Sequence, residues 1–317
     1  MLILLILAVL LLAYSNGAND NFKGVATLWS SNILTYKLAL ILATVATCVG
    51  SISAYYLSDG LLQNFSGKGL VPPSITQSLP FITAVAVGAS CTVLLATVLG
   101  FPISTTHAIV GALVGAGTMA VGTAVVWGKL ASTFLLPLLL SPIIATVLGT
   151  VVYTGLKKIK HFPVKLNNAL HLLSGSIVCL SHGLNDTPKI MSLLLLVTYL
   201  KLSYGYILIT LVIAIGGILY SRKVANTMSI KLATLTPTQG MAANIITSTL
   251  CLLATKYSLP VSFTHISIGA IFGAGTVDGT AHRSEFFKIL MSWVLTLPIA
   301  FTISACAYYM ITLVSNN

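Results

Sequence analysis

Apolar runs of about 20 residues, each long enough to cross a hydrocarbon core, follow one another along the 317-residue chain. Charge is too scarce for any soluble alternative. There are 16 Lys and Arg and 5 Asp and Glu, 21 in all or 7% of the chain, against about 25% in an ordinary soluble domain. A cytosolic enzyme, a secreted domain and a disordered tail are excluded, and an all-α polytopic membrane protein remains. The net charge of +11 does not indicate nucleic acid. The positive side chains sit in short loops between apolar runs, which reads as membrane orientation.

Two smaller features add little. Cys48, Cys91, Cys179, Cys251 and Cys306 are scattered singly through apolar segments, as small buried hydrophobes. Residues 2–12 are apolar but lack a preceding basic region, and their polar continuation recurs in mid-chain. They are therefore expected to belong to the mature protein rather than to a signal peptide.

The chain repeats itself. Ser15–Lys23 reads SNGANDNFK and Ser181–Lys189 reads SHGLNDTPK, an offset of 166. A second pair follows at offset 158: Gly100–Gly117 reads GFPISTTHAIVGALVGAG and Ser258–Gly275 reads SLPVSFTHISIGAIFGAG, identical at nine of 18 positions. Two motifs in the same order at similar offsets indicate a duplicated unit. Its halves are residues 1–156 and 166–317, joined by the lysine-rich linker 157–165.

Each half contains an apolar run broken by the first motif (2–30 and 166–200) and a plain span (33–57 and 203–221). Next come two short apolar segments joined at the second motif (79–99 with 103–118, and 239–256 with 261–275). A closing span (130–156 and 288–313) completes the half. A joined pair is either two crossings or a re-entrant hairpin, and both leave sidedness unchanged. Each half then crosses the membrane an odd number of times, so the halves are inverted relative to each other. Inverted-topology repeats with broken helices and re-entrant helical hairpins belong to secondary transporters.

Lysine and arginine set the orientation. Lys37, Lys157, Lys158, Lys160, Lys165, Arg222, Lys223, Lys231, Arg283 and Lys288 fall on the linker's side, and Lys68, Lys129 and Lys201 on the other. Ten against three places the linker in the cytoplasm and both termini outside a cell (plasma or inner) membrane.

The motifs carry chemistry that a span does not need. A central Asp costs at least roughly 2.5–3.5 kcal/mol in a membrane helix, yet Asn19-Asp20 and Asn185-Asp186 do so twice. Gly17 and Gly183 are expected to let the helix unwind and free carbonyl oxygens. With the Asn and Asp oxygens these form an all-oxygen shell for a hard cation such as sodium. The plainer alternative is local neutralisation by Lys23 and Lys189 at i, i+3.

In the second motif Ser104, Thr105 and Thr106, and Ser262, Phe263 and Thr264, follow a proline at the start of an apolar helix. Hydroxyls and free N–H groups at a helix N-terminus bind an oxyanion; ordinary N-capping is the alternative. Two such termini from inverted halves would face each other near the midplane. His107 and His265 either titrate, bind metal or hold a tip by local hydrogen bonds. Gly111/Gly115 and Gly269/Gly273 are small-xxx-small packing faces. Gln77 and Gln239 enter the hairpins and are candidate ligand contacts.

At these residues the chain resembles the inorganic phosphate transporter (PiT) family. Gly17-Ala18-Asn19-Asp20 with Phe22-Lys23-Gly24, Gly183-Leu184-Asn185-Asp186 and the paired Pro-x-Ser-x-Thr-His segments carry the resemblance, over essentially the whole chain. It implies cation-coupled phosphate uptake, hairpins at the substrate site and a homodimer in the lipid bilayer, with no enzyme activity and no cofactor beyond the coupling ion. Leu184, Pro188 and Phe263 replace Ala18, Phe22 and Thr105 in the second copy, so the anion site is expected to be asymmetric.

The leading expectation is a sodium–phosphate symporter working by alternating access. A proton-coupled phosphate or sulfate carrier is the alternative. An anion channel would give Asp20 and Asp186 no role, and an intramembrane hydrolase using His107, His182 and His265 lacks an activated nucleophile.

Overall fold

The computed structural model describes residues 1–159 and 163–316, so Lys160 of the linker lies outside the described residues. Ten long helices appear among them and no strand: α1 (Leu2–Asp20), α2 (Tyr36–Leu57), α3 (Leu79–Leu99), α4 (Thr105–Val121), α5 (Leu136–Lys157), α6 (Val164–Met191), α7 (Leu202–Tyr220), α8 (Pro237–Lys256), α9 (Phe263–Thr276) and α10 (Arg283–Asn316). Seven segments are long and apolar enough to cross a membrane. At 28 residues α6 has the length, but the polar motif lowers its hydropathy.

The helices are inside out relative to a soluble bundle. On α2 the exposed face is Leu38, Ile41, Val45, Val49 and Ile52, whereas the buried face is Ala39, Ala43, Thr47, Gly50, Ser51 and Ala54. With lipid as solvent, apolar side chains gain nothing by turning inward, and small residues let backbones approach. Gly50 packs so closely on α6 that a Cβ would lie 1.9 Å from the Leu180 carbonyl oxygen. Gly115 and Gly273 do the same against Phe301 of α10 and Thr146 of α5, so these small-residue faces are packing faces.

Helix pairing follows the sequence repeat and swaps between halves. The first helix of each half packs on the second of the other, α1 on α7 and α6 on α2. Likewise α4 packs on α10 and α9 on α5.

Gly17 and Gly183 do not unwind their helices. The helix α1 runs unbroken to Asp20, and α6 to Met191. A Cβ on Gly17 would meet Ile213 O at 1.9 Å, and one on Gly183 would meet Thr47 O at 2.3 Å. Their physical role is close helix approach. The first break comes after Asp20, where turns and a short helix (Ala26–Ser30) follow. Inside α6, Pro188 has no N–H for the Leu184 carbonyl four residues back, and Ser58 Oγ donates to that oxygen instead at 2.9 Å.

Candidate functional site

The hairpins build the site because their second helices do not begin where the first ones end. Gly100 caps α3 in the left-handed region, with φ 81°, and residues 101–104 run back into the molecule before α4 starts at Thr105. Ser258, the repeat-equivalent of Gly100, also has positive φ, 56°. The two returning segments meet: Thr264 Oγ1 donates to Ile103 O (2.7 Å), and Thr106 Oγ1 donates to Val261 O (3.2 Å).

Helical spacing aims the first motif at this junction. Residues 16 and 20, and 182 and 186, are i, i+4 neighbours on one helix face. Asn19 Nδ2 donates to Thr97 Oγ1 (2.8 Å) and Phe101 O (3.0 Å), while its Oδ1 accepts from Ile103 N (3.1 Å). Asn185 Nδ2 donates to Thr255 Oγ1 (3.1 Å), the equivalent of Thr97. The Asn side chains thus fasten the hairpin ends.

Asp20 pairs with Lys23, and Asp186 pairs with Lys189 at 2.8 Å. All four are buried. Lys23 Nζ also donates to Asn19 Oδ1 (2.9 Å), Ile103 O (3.1 Å) and Thr264 Oγ1 (2.6 Å). Lys189 Nζ donates to Asn185 Oδ1 (2.5 Å), Val261 O (3.0 Å) and Thr106 Oγ1 (2.8 Å), and lies 5.6 Å from the Phe65 ring centre. The Asn and Asp oxygens therefore do converge in each half. The carbonyl they meet comes from the hairpin segment, not from an unwound first helix.

Two residues at the centre escape the motif reading. Asn16 Nδ2 donates to Asp20 Oδ2 (3.0 Å), Asp186 Oδ2 (3.0 Å) and Thr105 Oγ1 (2.9 Å). His182 Nε2 stands 3.2 Å from Asn16 Oδ1 and 3.7 Å from Asp186 Oδ2. Asn16 and His182 are repeat-equivalents at the 166 offset. Their position four residues before each Asp is the signal that could have found them. Asp20, His182 and Asp186 offer ligand atoms within 4.8 Å of one another.

The remaining candidates divide. Ser104 and Ser262 accept from the backbone N–H of His107 (3.1 Å) and His265 (3.2 Å), so both serve as N-caps. Thr105 Oγ1 reaches Asp20 Oδ2 at 3.4 Å, whereas Phe263 places a ring 5.0 Å from that of His182. The centre is asymmetric at this pair. The His107 and His265 rings lie 4.5 Å apart, and His265 stacks on Trp293 at 3.7 Å and contacts Leu138 O at 3.2 Å. The pair packs immediately behind the helix starts.

Gln77 and Gln239 do not reach the site. Gln77 is exposed in the turn before α3, and the 21 residues of α3 set it about 31 Å of helix away from Gly100. Gln239 forms a capping box with Thr236 and donates to Thr280 Oγ1 at 3.1 Å. Amides near a helix start serve the cap there.

Comparison with known proteins agrees with this geometry. Residues 16–170 and 160–304 each match the phosphate transporter family, two copies across the chain. The Bacillus subtilis (strain 168) "Probable low-affinity inorganic phosphate transporter" is 28% identical over 98% of this chain and 97% of that one. A protein of the same name from Rhizobium meliloti (strain 1021) is 30% identical over 99% and 98%. A solved structure described as "The sodium-dependent phosphate transporter" superposes with a TM-score of 0.86, covering 98% of this chain and 99% of that one at 23% identity; it shares the fold. The resemblance read from the duplicated motifs holds, and this chain belongs to the phosphate transporter family.

Proposed function

We propose that the chain imports inorganic phosphate as a cation-coupled symporter working by alternating access. One observation carries the reading. The hydroxyl-bearing starts of α4 and α9 meet the buried Asp–Lys pairs, each ammonium bonding hairpin atoms of both halves. Oxyanion donors and positive charge then share one centre, and relative motion of the halves separates Lys23 from Thr264 and Lys189 from Thr106. Family membership favours a transporter over a hydrolase, and phosphate over sulfate.

For the coupling ion, sodium is supported by the description of the solved neighbour. A second reading, in which the chain supplies its own positive charge, is favoured by the four oxygens around each lysine. Radiolabelled phosphate uptake into proteoliposomes under a sodium gradient alone, then a pH gradient alone, separates them. Accumulation under neither gradient would remove the symport reading.

Inversion of the halves is supported by the hairpin tips. Gly100 O accepts from Thr227 Oγ1 at 2.9 Å, just beyond α7, and Ser258 O accepts from Asn64 Nδ2 at 2.8 Å, just beyond α2. Between those anchors the proposed topology crosses the membrane an odd number of times, putting the tips on opposite sides. The linker is then cytoplasmic and the termini are extracytoplasmic. Lys158→Cys in a Cys-free background should resist an impermeant reagent added to intact cells; labelling there reverses the topology. A homodimer follows from the family resemblance and is checked by mass measurement of the purified protein.

A further inference from the structure

The points at which a coupling cation would sit are taken by this chain's own side chains. Around Lys23 Nζ stand Asn19 Oδ1, Asp20 Oδ1, Ile103 O and Thr264 Oγ1. Around Lys189 Nζ stand the repeat-equivalent Asn185 Oδ1, Asp186 Oδ1, Val261 O and Thr106 Oγ1. Every partner is an acceptor oxygen. Two are side chains of the first motif, one is a carbonyl of the returning hairpin segment, and one is a hydroxyl of the other half's hairpin.

We infer that Lys23 and Lys189 are tethered cations filling both cation pockets, so that this transporter binds phosphate without sodium. This deepens the phosphate reading above and rests on it for the substrate alone.

Three arguments support it. First, an ammonium group has three donors and no acceptor, and each pocket presents only acceptors. A sodium ion reaching the same oxygens would stand against the ammonium in a site poor in water, where like charges repel strongly. Second, the arrangement is not an accident of one side chain. The i+3 and i+4 spacing returns each lysine to its own Asp and Asn, and both halves do this although Ala18/Leu184 and Phe22/Pro188 differ around it. Third, the charges at the centre are two carboxylates and two ammonium groups. An arriving phosphate does not face bare carboxylates, which is the task a bound sodium would perform. The ammonium groups also hydrogen-bond Thr106 and Thr264, placing fixed positive charge one hydroxyl away from the anion.

The test uses purified full-length protein in two assays, radioactive sodium binding without phosphate, and radiolabelled phosphate exchange in proteoliposomes in sodium or choline medium. Wild type is expected to show no saturable sodium binding and equal exchange in both media. Lys23→Asn with Lys189→Asn opens both pockets; it should gain saturable sodium binding and exchange phosphate at least about tenfold faster with sodium. Stoichiometric sodium binding by wild type, or a wild-type exchange rate about tenfold lower in choline, overturns the inference. So does a double variant that exchanges equally in both media. If wild type exchanges no phosphate in either medium, the phosphate reading fails, while sodium binding still decides the role of the lysines.

Discussion

The Asn16 amide nitrogen donates to Asp186 Oδ2 at 3.0 Å, joining the first motifs of the two halves across 170 positions of sequence. The same nitrogen donates to Asp20 and Thr105, so one side chain holds both carboxylates in register. Asn16→Ala would leave carboxylate oxygens short of donors in a buried site, at about 1–3 kcal/mol. Thermal unfolding in detergent should show a lower midpoint. Asn16→Asp, which adds a third acid to the cluster, should unfold at a lower temperature still. Equal stability of Asn16→Ala and wild type would make this bridge incidental.

Asp20→Asn and Asp186→Asn should each abolish concentrative phosphate uptake. Either change also leaves a buried lysine without its counter-charge, a loss of about 3–5 kcal/mol when one partner of a buried pair is removed. Transport must therefore be compared on protein shown to be folded. Asp59 is exposed in the first turn of a short helix after α2, and Asp59→Asn should transport like wild type. Wild-type accumulation by both folded motif variants would disprove the assignment of the Asp pair.

Thr106→Val and Thr264→Val keep shape and remove a hydroxyl that faces an ammonium group and a hairpin carbonyl. A lost donor to a charged ligand costs roughly 1.5–3 kcal/mol, about 10- to 150-fold in affinity. Phosphate binding should weaken within that range in both variants, as equilibrium binding would show. Unchanged affinity in both would leave these threonines a purely structural part in tying the hairpins together.

Gly17→Ala places a Cβ 1.9 Å from the Ile213 carbonyl oxygen. Forcing α1 and α7 apart should cost about 1–3 kcal/mol or more, read as a lower unfolding midpoint. Gly155→Ala on α5 meets nothing within 4 Å and should be neutral or slightly stabilising, since alanine is the better helix former. Similar midpoints for both variants would argue against a tight α1–α7 contact.

Much of the fold was legible from pattern. Apolar runs give helices in lipid whatever their neighbours are, because backbone polar groups must be satisfied within the segment. The duplicated motifs located Asn19, Asp20, Asn185, Asp186 and the threonines at the helix starts, since a buried acid or a hydroxyl after proline stands out against an apolar background. Gly17 and Gly183 misled for an identifiable reason. A glycine that permits unwinding and one that permits close packing look alike in a sequence, and only the neighbouring backbone at Ile213 or Thr47 distinguishes them.

The chain alone thus specified its helical membrane class, its duplication and the acids and hydroxyls at its centre, each a matter of local composition and spacing. Tertiary structure decided which oxygens meet. The Ile103 carbonyl lies 80 positions from Lys23, and Thr264 lies 241 positions away. It also gave Asn16 and His182 their place between the two acids, and moved Gln77 and Gln239 out of the site. The physical reason is that a lysine beside an aspartate on one helix is an ordinary ion pair. It becomes a cation inside a closed oxygen shell only when a returning hairpin segment and the other half's threonine complete that shell around it.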